Sequence, residues 1–154
     1  MILPPIPHRD ITPYRFELTD HWSMTDLSIQ GYAGETDWVR LWENGTIWIR
    51  GPQMVDGHLV LGYAWDGASG LAIDTANSKW GGLVHDALYQ LVREGAIPYD
   101  AKRPSDRVMM ELCRAAGMSR ARSKAWELAV RVVGGHALRR RRRRNFLPVH
   151  SQRS

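Results

Sequence analysis

Cysteine is almost missing from this chain of 154 residues: it holds one, Cys113, so no intrachain disulfide can form, and synthesis in a reducing compartment fits best. Long apolar runs are missing as well, none approaching the roughly 18 residues that a membrane span needs. The first residues, Met1-Ile2-Leu3-Pro4-Pro5-Ile6-Pro7, lack a basic stretch and are broken by prolines, which argues against a signal peptide. The formal charge of +5 does not by itself imply a basic face on the folded body. Of the 21 basic residues, seven (Arg139 to Arg144 and Arg153) lie beyond residue 138, leaving 14 against 16 acidic groups and a net charge of −2 before that point. The basicity therefore belongs to a tail rather than to a binding surface of the fold. There is no internal repeat.

What is present is enough for one domain with a core, at 44% hydrophobic residues. Residues 1–13 read as an extended, proline-set arm, 14–135 as a single α+β domain and 136–154 as a disordered, arginine-rich tail. A short strand is expected over Arg15 to Leu18, whereas His21 to Gly34 has no clear period. The segments Trp38 to Trp42 and Thr46 to Arg50 flank Asn44-Gly45, a strong hairpin signal, and Asp56-Gly57 marks a second hairpin between Met54-Val55 and His58 to Leu61. The N-terminal half is thus a small antiparallel sheet. Trp38, Trp42 and Trp48 crowd the first hairpin, either filling the interface between sheet and helices or forming an exposed aromatic surface; residue usage favours the first.

Gly62 to Gly70 reads as a glycine-punctuated loop, either an ordinary turn into a helix or a backbone cradle for an ion. Three helices follow. The first carries Trp80, Val84, Ala87, Leu88 and Leu91 at helical spacing, with Asn77 or Ser78 as cap and Gly95 as stop. The second is capped by Ser105, carries Val108, Met109, Leu112 and Ala116 and stops at Gly117, with Met109 and Met110 as core filler. The third is capped by Ser119, turns Ala121, Ala125, Leu128 and Val132 inward and ends at Gly134-Gly135. Arg139 to Arg144 would attract nucleic acid or anionic lipid through phosphates, without sequence preference.

The chemistry-bearing residues gather between Gly81 and Asp106. A helix sets His85 and Tyr89 one turn apart on one face and Asp86 about 100° round from His85. An imidazole takes a proton from water near neutral pH and needs a second group to fix its tautomer. Asp106 can serve if the first two helices, joined by a short connection, pack antiparallel. A hard cation would use the Asp86 carboxylate and backbone carbonyls of the glycine loop. Two other chemistries fit less well. Ser69 in Gly67-Ala68-Ser69-Gly70 does not make a nucleophile elbow, and a zinc site would want more histidines than His58, which sits beside a turn.

The ensemble resembles the active-site helix of the phospholipase A2 superfamily, whose pattern is Cys-Cys-x-x-His-Asp-x-Cys-Tyr after a calcium loop, with an aspartate on the next antiparallel helix. Gly81 and Gly82 stand at the paired cysteines, His85-Asp86 and Tyr89 match, Leu88 replaces the third cysteine and Asp106 matches the later aspartate. As in the disulfide-free viral members, every disulfide position is lost. The resemblance implies ester hydrolysis with His85, Asp106 and Tyr89 as the catalytic set. It implies calcium on Asp86 and on carbonyls of Tyr63, Trp65 and Gly67, and a phospholipid or membrane surface as substrate.

Over roughly residues 45–135 the chain is also similar to an uncharacterised family of short phage and prophage proteins. Members carry an Asp-Gly-Ala-Ser loop, here Asp66 to Ser69, a His-Asp-x-x-Tyr helix and an Asp-led helix. Gly70-Leu71 stands where that family often has a proline. This likeness implies synthesis in a host bacterial cytoplasm and a place in the virion or beside phage structural proteins. It also implies a second function class, a non-enzymatic virion or accessory protein in which the His-Asp-Tyr-Asp set is a structural polar network.

Overall fold

A computed structural model describes residues 1–11, 16–65 and 76–144, and the side chains of all of these except residues 76 and 133–144. Among the described residues nine short strands precede three α-helices, an α+β arrangement. Strands β1 (His8–Asp10), β2 (Phe16–Leu18) and β9 (Ala64–Trp65) form one antiparallel sheet in the order β1-β2-β9. Strands β3 (Trp22–Met24), β4 (Gly34–Glu35), β5 (Val39–Leu41) and β6 (Ile47–Ile49) form a second, in the order β3-β6-β5-β4. β7 (Gln53–Val55) and β8 (His58–Val60) pair as a separate ribbon.

Both expected hairpins form, with different turns. Asp56 and Gly57 both take positive φ, +49° and +78°, as a two-residue turn between right-twisting strands requires. At the first hairpin only Gly45 does, at +78°. The Trp42 and Thr46 backbones bond across a three-residue loop, so the turn is a type I geometry closed by a left-handed glycine. The Asn44 carboxamide accepts the Thr46 N–H at 3.0 Å and fixes that geometry.

Alternation along these strands decides the tryptophans. Val39, Leu41, Ile47 and Ile49 point into the core, which sends Arg40, Trp42 and Trp48 to the outer face, whereas Trp38, just before β5, is half-buried and packs on the core beside Tyr63. The expectation that Trp38, Trp42 and Trp48 fill the interface with the helices is therefore corrected for Trp42 and Trp48, while Trp38 does pack on the core that the helices share. Trp38 lies beneath the Arg50 guanidinium, 3.8 Å from its ring centre, Trp42 beneath Arg40 at 4.9 Å, and Trp48 beside the His21 ring at 5.2 Å. The buried tryptophans of the sheets are Trp22 and Trp65.

Helix α1 (Lys79–Arg93) lays Leu83, Val84, Ala87, Leu88 and Leu91 on the sheet core. The N-terminal arm is tied to it: the Trp80 indole donates to the Pro4 carbonyl at 2.6 Å, Ile6 is buried, and β1 joins the first sheet. Helix α2 (Lys102–Ala115) begins three residues before the expected cap. Ser105 lies inside its first turn, donating to the Ala101 carbonyl at 2.7 Å, because Pro104 is compatible with a first turn and does not delay the start. Both helices end where expected. The Ala96 N–H returns to Leu91 and the Met118 N–H to Cys113, each beside a left-handed glycine, Gly95 and Gly117.

Helix α3 (Arg120–Arg144) starts at the expected Ser119 cap, whose hydroxyl accepts the Arg122 N–H at 3.3 Å. Two expectations about it are corrected. It turns Ser123, Trp126 and Val130 inward, against Met109, Met110, Cys113 and Met118, and leaves Ala121, Ala125, Leu128 and Val132 outside. Its backbone also runs past the expected stop at Gly134-Gly135 to Arg144. Two interior glycines cost about 2 kcal/mol against alanine but do not remove a hydrogen bond, and arginine is a strong helix former. Residues 145–154 lie outside the described residues. Among the described residues no helix is long and apolar enough to cross a membrane.

Candidate functional site

The site is made by the antiparallel contact of α1 and α2. Their direction follows from paired contacts: Tyr89 and His85 meet Asp106 at the start of α2, while Gly81, earlier on α1, meets Met109 and Cys113 further along α2. The connection is a five-residue turn followed by a 3-10 turn over Tyr99–Ala101. Helical spacing puts His85 and Tyr89 on one face, and the first turn of α2 is delivered opposite them.

Asp106 is the centre. One carboxylate oxygen, Oδ1, accepts from the Tyr89 hydroxyl at 2.6 Å and lies 2.9 Å from His85 Nε2; the other, Oδ2, accepts from Lys102 Nζ at 2.8 Å. All four side chains are buried. Burial alone would raise the Asp106 pKa, but the hydrogen bonds from His85, Lys102 and Tyr89, with the charge of His85, outweigh it and hold the carboxyl below its ordinary value. A charged carboxylate requires a proton on His85 Nε2, so neutral His85 carries its lone pair on Nδ1. Burial first, and then the Asp106 bond and charge, push the Tyr89 hydroxyl far above its ordinary range, so it remains a donor. The His85 and Tyr89 rings pack at 3.9 Å between centroids, tilted by 41° to one another, which limits rotation of the imidazole.

Nδ1 of His85 points to the other side, where Asp86 Oδ1 is 4.0 Å away and the Asp86 side chain reaches partial exposure. The hydroxyl of Tyr63 lies in the same field: burial, and after it the Asp86 charge, raise its pKa well above the usual value. The expected metal ligands fall as follows. Tyr63 offers its carbonyl to the Leu18 N–H at 2.9 Å, and Trp65 sits in β9 opposite Phe16 with its ring buried. These two therefore extend the first sheet rather than open a loop, since alternating aromatic residues pack well on a pleated surface. Gly67, with the rest of Asp66 to Ser69, lies outside the described residues. Among the described residues no three His, Cys, Asp or Glu side chains gather as a metal-holding group.

No family model matches this chain, and no curated protein and no solved structure matches it either. Its chemistry must therefore be argued from its own residues.

Sequence reasoning brought together His85, Tyr89 and Asp106, and missed Lys102. The available signal was the four-residue step from Lys102 to Asp106, which makes a same-face pair only if the helix already includes Lys102. Placing the start at Ser105 concealed it. Gly81 acquires a packing role: a Cβ there would come within 2.5 Å of Cys113 Sγ and 2.9 Å of the Met109 carbonyl, so a bare backbone lets α1 and α2 approach closely. Cys113 is buried there and its thiol is pushed up to about 11, which leaves it protonated and unreactive at neutral pH.

Proposed function

We propose that this chain is a phage or prophage ester hydrolase of phospholipase A2 type, with His85 as the base. The observation that carries the reading is the polarity of the imidazole: Nε2 is held at 2.9 Å by a buried aspartate, which directs the basic Nδ1 toward Asp86 and the rim. In this reading His85 Nδ1 takes a proton from the attacking water. Asp106 holds the ring and stabilises the imidazolium that results, and the Tyr89 hydroxyl keeps Asp106 in place. The phage origin rests on the Asp66 to Ser69 and His85-Asp86-x-x-Tyr89 motifs.

Asp86 fits calcium as a hard, partly exposed oxygen donor, and the Tyr63 carbonyl has one lone pair left after its bond to Leu18. Asp86, with carbonyls from the segment after Tyr63, would hold the ion, and calcium when bound supplies positive charge for a developing oxyanion. The substrate class is a phospholipid at a membrane surface.

One observation favours a second reading. Lys102 completes the partners of Asp106, so both carboxylate oxygens are satisfied, as in a buried network that fixes two helices and does no chemistry. The protein would then be a virion or accessory component working beside phage structural proteins. The two readings separate on fatty-acid release from phosphatidylglycerol vesicles with and without calcium. The hydrolase reading expects calcium-dependent release that His85→Ala lowers by roughly 10²–10⁴-fold. Release unchanged in His85→Ala would sink it. No release, together with no calcium-induced rise in Tm at millimolar concentration, would favour the structural network.

A further inference from the structure

The outer face of α3 is an apolar stripe left uncovered among the described residues. At 100° per residue, Ala121, Ala125, Leu128 and Val132 fall within roughly 60° of the helix circumference. Ser123, Trp126 and Val130, the residues that dock α3 on α2, occupy the opposite side. The helix is thus apolar on two opposite faces, only one of which is covered among the described residues. Leu128 is 66% exposed and Val132 68%, with Ala121 and Ala125 exposed beside them.

The surroundings of the stripe are basic. Arg120, Lys124 and Arg131 are exposed along one flank, where the acidic Glu127 is already paired with Arg131 at 2.7 Å. Arg139 to Arg144 follow on the same helical backbone, starting about 10 Å beyond Val132 at 1.5 Å per residue. Any occupant must therefore match both an apolar strip and a dense positive charge.

We propose that α3 is a binding element for an anionic lipid surface, with Leu128 and Val132 entering the boundary between headgroups and acyl chains and the arginines meeting the phosphates. Charge complementarity selects this occupant. A second copy would bring equally basic flanks and six arginines against one another, and like charges across a helix pair disfavour it. A nucleic acid would satisfy the arginines but gives no burial to exposed leucine and valine. Amphipathic helices with basic flanks combine the two contributions that lipid offers, apolar burial and attraction to a negative leaflet. This inference does not depend on hydrolysis, because binding is read without turnover.

The test is co-sedimentation of the full chain with phosphatidylcholine vesicles and with phosphatidylcholine–phosphatidylglycerol vesicles, near physiological salt. Partitioning to the anionic vesicles should exceed that to the neutral ones by at least roughly 100-fold, since each basic residue near such a surface contributes about fivefold. Glutamine at each of Arg139 to Arg144 should remove most of the difference, leaving only the share of Arg120, Lys124 and Arg131. Leu128→Gln with Val132→Gln should lower anionic partitioning about tenfold. Glutamine is a strong helix former and both positions are exposed, so the variant should keep the wild-type circular dichroism and Tm. Three results would overturn the proposal. The first is equal binding to both vesicle types. The second is wild-type binding by the double glutamine variant, which would reduce the helix to a polycation that duplex DNA serves equally well. The third is a dimer in sedimentation velocity that the same variant converts to monomer, which would make a second copy the occupant.

Discussion

The two ends of the α1–α2 contact are built on opposite principles. At one end the Gly81 backbone is pressed against the Cys113 thiol and the Met109 backbone, contacts of close packing. At the other, His85, Tyr89 and Lys102 surround Asp106, so four polar side chains occupy a place where an apolar core would also pack. Close packing holds helices through contact alone and tolerates volume-conserving exchange. A buried carboxylate with three donors tolerates almost none, because each loss strands a desolvated partner. The expensive end is the one bordered by the partly exposed Asp86, and this position makes it a candidate for chemistry.

The largest effect should come from Asp106→Ala. It leaves the Lys102 ammonium, the His85 imidazole and the Tyr89 hydroxyl buried without their acceptor, and urea unfolding should show a loss of about 3–5 kcal/mol. A loss below 1 kcal/mol would mean that water replaces the carboxylate and that the two ends differ little. Tyr89→Phe removes one donor to a charged acceptor and should cost about 1.5–3 kcal/mol by the same measurement. It should leave the His85 to Asp106 contact in place.

At the close-packed end, Gly81→Ala has two opposed effects. Overpacking costs about 1–3 kcal/mol, and the gain in helix propensity returns about 1 kcal/mol, so a net loss of up to about 2 kcal/mol is expected. Adding Cys113→Ala removes the nearest clashing atom, and the pair should couple favourably by about 0.5–1 kcal/mol in a double-mutant cycle. Additive behaviour would show that the Met109 carbonyl alone sets the approach.

The smallest effect is confined to acid. Asp106 has a folded pKa below its ordinary value of 3.8, so its ionisation stabilises the fold fully above that value. The contribution is lost as pH falls through the depressed folded value, where the folded state too takes up the proton. The stability gap between the wild type and Asp106→Asn should therefore be flat at neutral pH and narrow below about pH 4. A gap that stayed constant down to pH 2 would contradict the depressed pKa. Gly81→Ala should show no such narrowing, and this contrast separates the two ends by pH alone.

How much of this was legible in the sequence can be followed residue by residue. His85, Tyr89 and Asp106 were, because helical spacing and a short connection leave two adjacent helices few ways to pack. Lys102 was not, since its relation to Asp106 exists only once the helix start is known, and Pro104 and Ser105 offered a misleading boundary. Tyr63 and Trp65 read as loop because glycines surround them, yet pairing with β2 made a strand. The α3 stripe was found correctly as a stripe and assigned to the wrong side.

By itself, then, the sequence determined the local terms: which residues share a helix face, where helices one and two stop, where the hairpins turn and which side chains can carry a proton. These depend on spacing and backbone preference within a few residues. Only the tertiary structure decided which apolar face of α3 is covered, that Trp42 and Trp48 face outward while Trp38 packs on the core, and that a lysine completes the Asp106 cluster. Those outcomes depend on what arrives from distant parts of the chain to bury a surface or satisfy a charge, and periodicity carries no record of the partner.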